Sequence, residues 1–225
     1  MNYLDQSLGH LARRIPGATR LFGDHRLDFC CAGNRTLRTA AHAAGIDARP
    51  IAAELQVLHR RAGTAPDRDW SAATDAELVD HILTRYHEVH REQLPELIRL
   101  ARKVEQVHGE RATCPHGLAD HLQALALELV SHMRKEEMVL FPLIAQGQGE
   151  MVAMPIGVMR LEHDGHGAEL RRLEALTRGI TPPPGACTTW RALYAGLRAF
   201  RRDLMAHIHT ENNILFERFA PAQVH

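Results

Sequence analysis

Large apolar residues recur every three or four positions through most of the chain, and no stretch alternates apolar and polar residues as a strand would. Leu8, Leu11 and Ile15 form the first helical run, which Pro16 and Gly17 close. After a break at Gly33 and Asn34, either Asn34 or Thr36 can cap a helix through Ala40, Ala41 and Ala44. A short helix over 51–58 then puts Ile51, Leu55 and Leu58 on one face. From Arg60 to Asp69, Gly, Pro and charge replace the periodicity. Residues 1–60 thus read as a small helical domain and 61–73 as a linker.

Residues 74–225 carry four longer helical patterns. The first starts near Thr74, has Asp75 and Glu77 in its first turn, and runs through Leu78, Ile82 and Tyr86 to His108, with a kink expected at Pro95. The second runs from Pro115 through Leu118, Leu122, Leu125 and Leu129 to Phe141, where Pro142 is expected to bend or end it. The third covers 156–176 and closes at Gly179. A stiff Pro182, Pro183, Pro184 connector leads to the fourth, which starts at Thr188 or Thr189 and carries Leu193, Leu197, Phe200, Leu204 and Ile208 toward Phe219. Four long helices joined by short loops make an up-down bundle, so the fold class is all-α.

The bundle helices repeat a chemical pattern. His132, Glu136, Leu140 and Phe141 return 75 residues later as His207, Glu211, Leu215 and Phe216, and His87 and His90 return after 76 as His163 and His166. Residues at i and i+4 share a helix face, so each hairpin supplies one His and one His-x-x-x-Glu pair. If the four faces converge, the core holds four imidazoles and two carboxylates. Two buried carboxylates would repel at a cost of several kcal/mol per ion unless cations intervene. Six nitrogen and oxygen donors, two of them able to bridge, suit two octahedral ions, with iron first and manganese second, better than one structural zinc. Spacing leaves His90 and His166 open as alternatives to His87 and His163, or as groups outside the ligand set. Glu137, about 100° around the helix from Glu136, reads as solvated. Met133, Met138 and Met151 read as core or interface filler, and Cys114 and Cys187 as incidental.

Composition narrows the setting. A net charge of zero gives no electrostatic case for nucleic acid or an anionic membrane. No apolar run approaches the roughly 20 residues of a membrane span, and the first residues lack a secretory signal pattern. The four cysteines match no zinc ribbon or thioredoxin spacing, which points to a reducing compartment, the cytoplasm by default. The adjacent Cys30 and Cys31 are either an inert buried pair or an exposed thiolate pair able to ligate a soft metal or be oxidised, and Asp28, Gly33 and Asn34 lean toward an exposed loop.

Taken together, Asp28 to Gly33 with Thr36 and Leu37, then Arg85 to His87, Ser131 to Met133, Lys135 to Glu137, Leu140 to Pro142, Glu162 to Asp164, Thr181 to Pro184, and His207 with Glu211 to Asn213 resemble the repair-of-iron-centres di-iron proteins over essentially the whole chain. That resemblance implies a ScdA-type N-terminal domain followed by a hemerythrin-like bundle. It implies two iron ions, oxo- and carboxylate-bridged, with His87, His132, His163 and His207 as terminal ligands and Glu136 and Glu211 as bridges. It also implies a cytoplasmic role in restoring iron–sulfur clusters damaged by nitric oxide or oxidants, by donating iron to apo or damaged iron–sulfur proteins or a cluster scaffold. Cys30 and Cys31 would then serve iron release or redox. Oxygen-carrying hemerythrins typically use five His and two carboxylates, a comparison that His166 and His209 leave untidy. A homodimer is compatible with this picture. An iron donor ranks first, a nitric oxide reductase or nitric-oxide-binding protein second, and an oxygen carrier third, because neither gas role requires the Cys-bearing domain.

Overall fold

The computed structural model describes residues 2–62 and 70–219. Among them every regular element is helical, and the one β feature is an isolated bridge between Ser7 and Thr36. The chain divides into two compact units, one of residues 1–78 with 205–225, the other of residues 79–204.

The first unit opens with α1 (Leu8–Arg14) and α3 (Leu37–Ala43), whose starts are laced together. Ser7 accepts from the His10 N–H and Thr36 from the Thr39 N–H, so each hydroxyl caps a helix. Around the bridge, the Leu8 N–H donates to Arg35 O (2.9 Å) and the Leu37 N–H to Gln6 O (3.0 Å). Between them lies α2 (Ala18–Asp24), which the apolar pattern did not predict, because it spans two turns and its only large buried side chains are the adjacent Leu21 and Phe22, with small Ala18 beside them. The expected helix over 51–58 is longer: α4 runs Ala48–Ala62, past the predicted start of the linker at 61. Most of that linker, residues 63–69, lies outside the described residues, and Trp70–Ala72 is a 3₁₀ turn. Leu8, Leu11, Ile15, Phe22, Phe29, Leu37, Ile51 and Leu55 fill this core.

The second unit, residues 79–204, makes up most of the helical bundle, whose opening and closing turns along the chain are counted with the first unit. α5 (Asp75–Ile82) begins in a capping box, in which the Thr74 N–H donates to Glu77 Oε2 (2.9 Å) and the Glu77 N–H to Thr74 Oγ1 (3.3 Å). It continues into α6 (Glu88–His108), which carries Pro95 in its interior. α7 (Leu118–Lys135) is followed by α8 (Phe141–Ala145), then α9 (Ala153–Leu176) and α10 (Thr188–Thr210). The proline connector bonds to the α6–α7 loop, with Arg111 donating to Pro184 O and Gly185 O. Leu97, Ala101, Leu122, Leu125, Leu129, Leu173, Trp190, Leu193, Leu197 and Phe200 form the bundle interior.

Three of the helical paths pass through a π-turn: Leu83–His87, Glu136–Leu140 and Glu211–Leu215. Each is closed by an N–H that reaches five residues back, from Glu88 to Leu83 O, Phe141 to Glu136 O and Phe216 to Glu211 O. The second explains why Pro142 does not end its helix. The ladder restarts at Phe141, so the proline falls in a first turn, where its missing N–H is not needed.

Candidate metal centre

In the bundle unit, four of the predicted residues meet in the buried core. His87, His132, Glu136 and His163 are all buried, with Glu136 between two imidazoles. Its Oε2 lies 3.3 Å from His87 Nε2 and its Oε1 3.3 Å from His132 Nε2. His163 Nε2 stands 3.1 Å from His132 Nε2. The remaining two predicted residues belong to the other unit, where His207 Nε2 lies 3.1 Å from Glu211 Oε1, both buried. Within the bundle unit, ligand atoms of His132, Glu136 and His163 all lie within 4.8 Å of one another, a set that could hold a metal ion.

Donor chemistry agrees with a cation. A carboxylate removed from water costs several kcal/mol in desolvation, which a bound cation offsets. Two imidazole nitrogens 3.1 Å apart can be joined either by one N–H···N hydrogen bond or, with both lone pairs turned inward, by a cation. The donors are all nitrogen and oxygen, the set that imidazole- and carboxylate-binding ions such as iron prefer.

The outward nitrogens are held as firmly as the inward ones are presented. His87 Nδ1 is 2.8 Å from Glu137 Oε1, and Arg91 donates to that same oxygen (2.7 Å). His132 Nδ1 is 2.8 Å from Glu162 Oε2, whose other oxygen pairs with Lys135. A carboxylate on Nδ1 fixes the tautomer that leaves Nε2 as donor. Partial burial alone would raise both glutamates. The hydrogen bonds from His87 and Arg91, and from Lys135 and His132, outweigh it and hold Glu137 and Glu162 below the usual carboxylate range. Glu137 is therefore not the solvated residue that helix geometry suggested. Glu162, adjacent to His163, had no helical spacing to mark it.

His90 and His166 are buried but differently engaged. The His90 ring lies between Tyr86 (6.4 Å, stacked) and Phe200 (5.5 Å, edge-on). Burial lowers its pKa to about 4. His166 packs edge-on against His132 at 4.9 Å. Met133 is core, whereas Met138 and Met151 are exposed. Cys114 is buried, and Cys187 Sγ lies 3.2 Å from His108 Nε2.

Cys30 is buried and Cys31 half-buried, so the pair is less exposed than its loop composition suggested. Their sulfurs are 3.7 Å apart. Asp28 Oδ1 accepts from the Cys30 thiol (3.3 Å) and from the N–H groups of Cys31 (3.0 Å) and Ala32 (3.3 Å). The hydrogen bond with Cys31, then burial, pushes the Cys30 thiol well above its usual pKa. Asp28, Cys30 and Cys31 form a further group whose donor atoms lie within 4.8 Å of one another.

Residues 78–219 match the family model described as the hemerythrin HHE cation binding domain, and residues 4–59 match ScdA_N, described as a domain of unknown function. The chain is 50% identical over 218 residues to the iron-sulfur cluster repair protein YtfE of Yersinia pseudotuberculosis serotype IB, covering 97% of this chain and 98% of that protein. The protein of the same name from Pectobacterium atrosepticum is 51% identical over the same shares, and that from Yersinia pestis strain Pestoides F 50%.

Proposed function

Because the chain belongs to the family of hemerythrin-like iron–sulfur cluster repair proteins, we propose that it restores damaged clusters by donating iron from a labile, non-haem di-iron centre. In this reading His87, His132, His163 and His207 are the terminal ligands of the two ions. Glu136 and Glu211 are the bridging carboxylates. Residues 1–60 are the thiol-bearing domain, 61–73 the linker and 74–225 the metal domain.

The observation that carries this reading is Glu136, which turns one oxygen to His87 and the other to His132, each at 3.3 Å. A carboxylate so placed faces two ion positions at once. When bound, the ions supply exchangeable iron and one-electron chemistry. The chain holds the imidazoles in their donating tautomer through Glu137 and Glu162, and it excludes water from the donors by burying them. Carboxylates shared by two ions would also suit release, since a shift or protonation of one would loosen both. Acceptors are apo or damaged iron–sulfur proteins or a cluster scaffold, and nitric oxide is the damaging agent. No helix among the described residues is long and apolar enough to cross a membrane, which is compatible with work in the cytoplasm.

The test is iron transfer. The chain is loaded with isotopically labelled iron and mixed with an apo iron–sulfur protein, a sulfide source and excess chelator. Labelled cluster forming faster than the chelator captures iron is the expected result. Label that stays in the protein while added nitric oxide is consumed over many turnovers would replace donation with gas reduction. Glu136→Ala should lose iron while keeping its helical circular dichroism, and a variant that retained two irons per chain would remove Glu136 from the ligand set.

A further inference from the structure

Two faces of one helical segment carry different work. His207 and Glu211 form one i,i+4 pair, and His209 and Asn213 form a second, displaced by two residues and so about 200° around the axis. The second face meets the Cys30–Cys31 loop within the same compact unit. Asn213 Nδ2 bonds Cys30 O (3.3 Å), Phe29 O (3.4 Å) and His209 Nδ1 (3.1 Å), so its two hydrogens are shared among three acceptors. Asn212 Nδ2 adds a second donor to Cys30 O at 3.2 Å. The Phe29 ring packs edge-on against His209 at 5.6 Å.

The seat is built for this side chain. Asn213 Oδ1 lies where a Cβ on Gly9 would come within 2.5 Å and one on Gly33 within 2.6 Å. Those glycines are joined by the Gly9 N–H to Gly33 O bond of 2.7 Å. The internal repeat supplies a comparison. In the first copy the positions of His209 and Asn213 are held by Arg134 and Met138, both exposed. In the first copy these positions are exposed; in the copy that meets the loop they hold a buried imidazole and an amide bonded to it.

We propose that Asn213, assisted by Asn212, is the positioning residue for the Cys30–Cys31 thiols and ties them to the π-turn that presents Glu211. This rests on Glu211 being a metal ligand, as proposed above. Asn212 and Asn213 follow Glu211 directly within the five-residue turn Glu211–Leu215. Any shift of that turn when Glu211 gives up its ion moves both amides, and the carbonyls they hold move with them. The thiols therefore open as iron is released.

The experiment is alkylation of the full chain by iodoacetamide, read at each cysteine by mass spectrometry, with iron loaded and after chelator stripping. Stripping should raise the Cys31 rate about three- to tenfold, the change expected when about one net hydrogen bond to the loop is lost. Asn213→Asp keeps the shape but removes the donor, so the iron-loaded variant should react at the stripped wild-type rate while retaining its iron. A loaded Asn213→Asp protein that reacts like loaded wild type overturns the inference, as does a wild-type rate indifferent to iron. If Asn213→Asp does not fold, Asn212→Ala removes one bond and leaves the glycine seat filled. A rise of about threefold is then expected, and an unchanged rate overturns the clamp. Iron content is measured first. A wild-type chain that holds none overturns the di-iron reading, and the rate difference between variant and wild type still decides whether the asparagines hold the loop.

Discussion

Glu137 occupies the position after a proposed bridge, and helix geometry alone turns it toward water. It instead grips His87 Nδ1 with Arg91 behind it. Glu137→Gln should weaken iron binding by roughly 10- to 100-fold, the usual cost of losing a carboxylate behind a ligating imidazole, measured by chelator competition. Glu96→Gln, which disturbs only an exposed pair with Arg99, should not. His209 tests burial through pH. Burial first, then the Arg13 charge, lowers its pKa from 6.5 to about 4, against a backbone hydrogen bond with Phe29 that raises it. The unfolded chain therefore takes up this proton first as pH falls. The group costs the folded state nothing above pH 6.5 and roughly 3 kcal/mol by pH 4. In urea unfolding of iron-stripped protein, His209→Gln should lose stability less steeply than wild type between pH 6.5 and 4. Parallel profiles would mean that the imidazole is solvated. Which glutamate would back which histidine was not legible in the sequence, because the partners lie 50 and 30 residues apart on different helices.

The elements were legible in proportion to their length. α7, α9 and α10 each repeat their apolar positions over several turns, and their expected starts lie within three residues of the observed ones. α2 has two turns and left no period to read. From the sequence Glu77 stood only as a first-turn acid, whereas in the structure it forms a box with Thr74 whose bonds are reciprocal. Thr74→Ala should cost about 1 kcal/mol in urea unfolding. Glu77→Ala should cost a similar amount, and the double variant less than the sum, because each residue serves the other. Strict additivity would mean that the box is not formed. The π-turns had no signature, since one extra residue per turn leaves the same residue types in place. Their positions are informative in structure: one ends at His87, and two begin at Glu136 and Glu211, at matching places in the two repeats.

For the whole molecule, a folded state that binds iron and an unfolded state that does not are linked by mass action. Iron at about 100 times its dissociation constant should stabilise the fold by about 2.7 kcal/mol. For a chain of this size, stripping should then lower Tm by about 5–10 °C, followed by circular dichroism. A Tm that ignores iron would mean that the buried donors are satisfied without it. The sequence by itself determined the all-α class, the bundle helices, the duplication and the two His-x-x-x-Glu pairs, His132 with Glu136 and His207 with Glu211, while leaving His87 against His90 and His163 against His166 open. All of these follow from local spacing along a helix, which residues three and four apart decide between themselves. Tertiary structure alone decided that His90 sits between Tyr86 and Phe200 while His87 faces Glu136, that Glu137 and Glu162 back the imidazoles, and that Asn213 seats against Gly9 and Gly33. Those choices depend on which distant segment packs against a helix face, and periodicity says which residues share a face without saying what it meets.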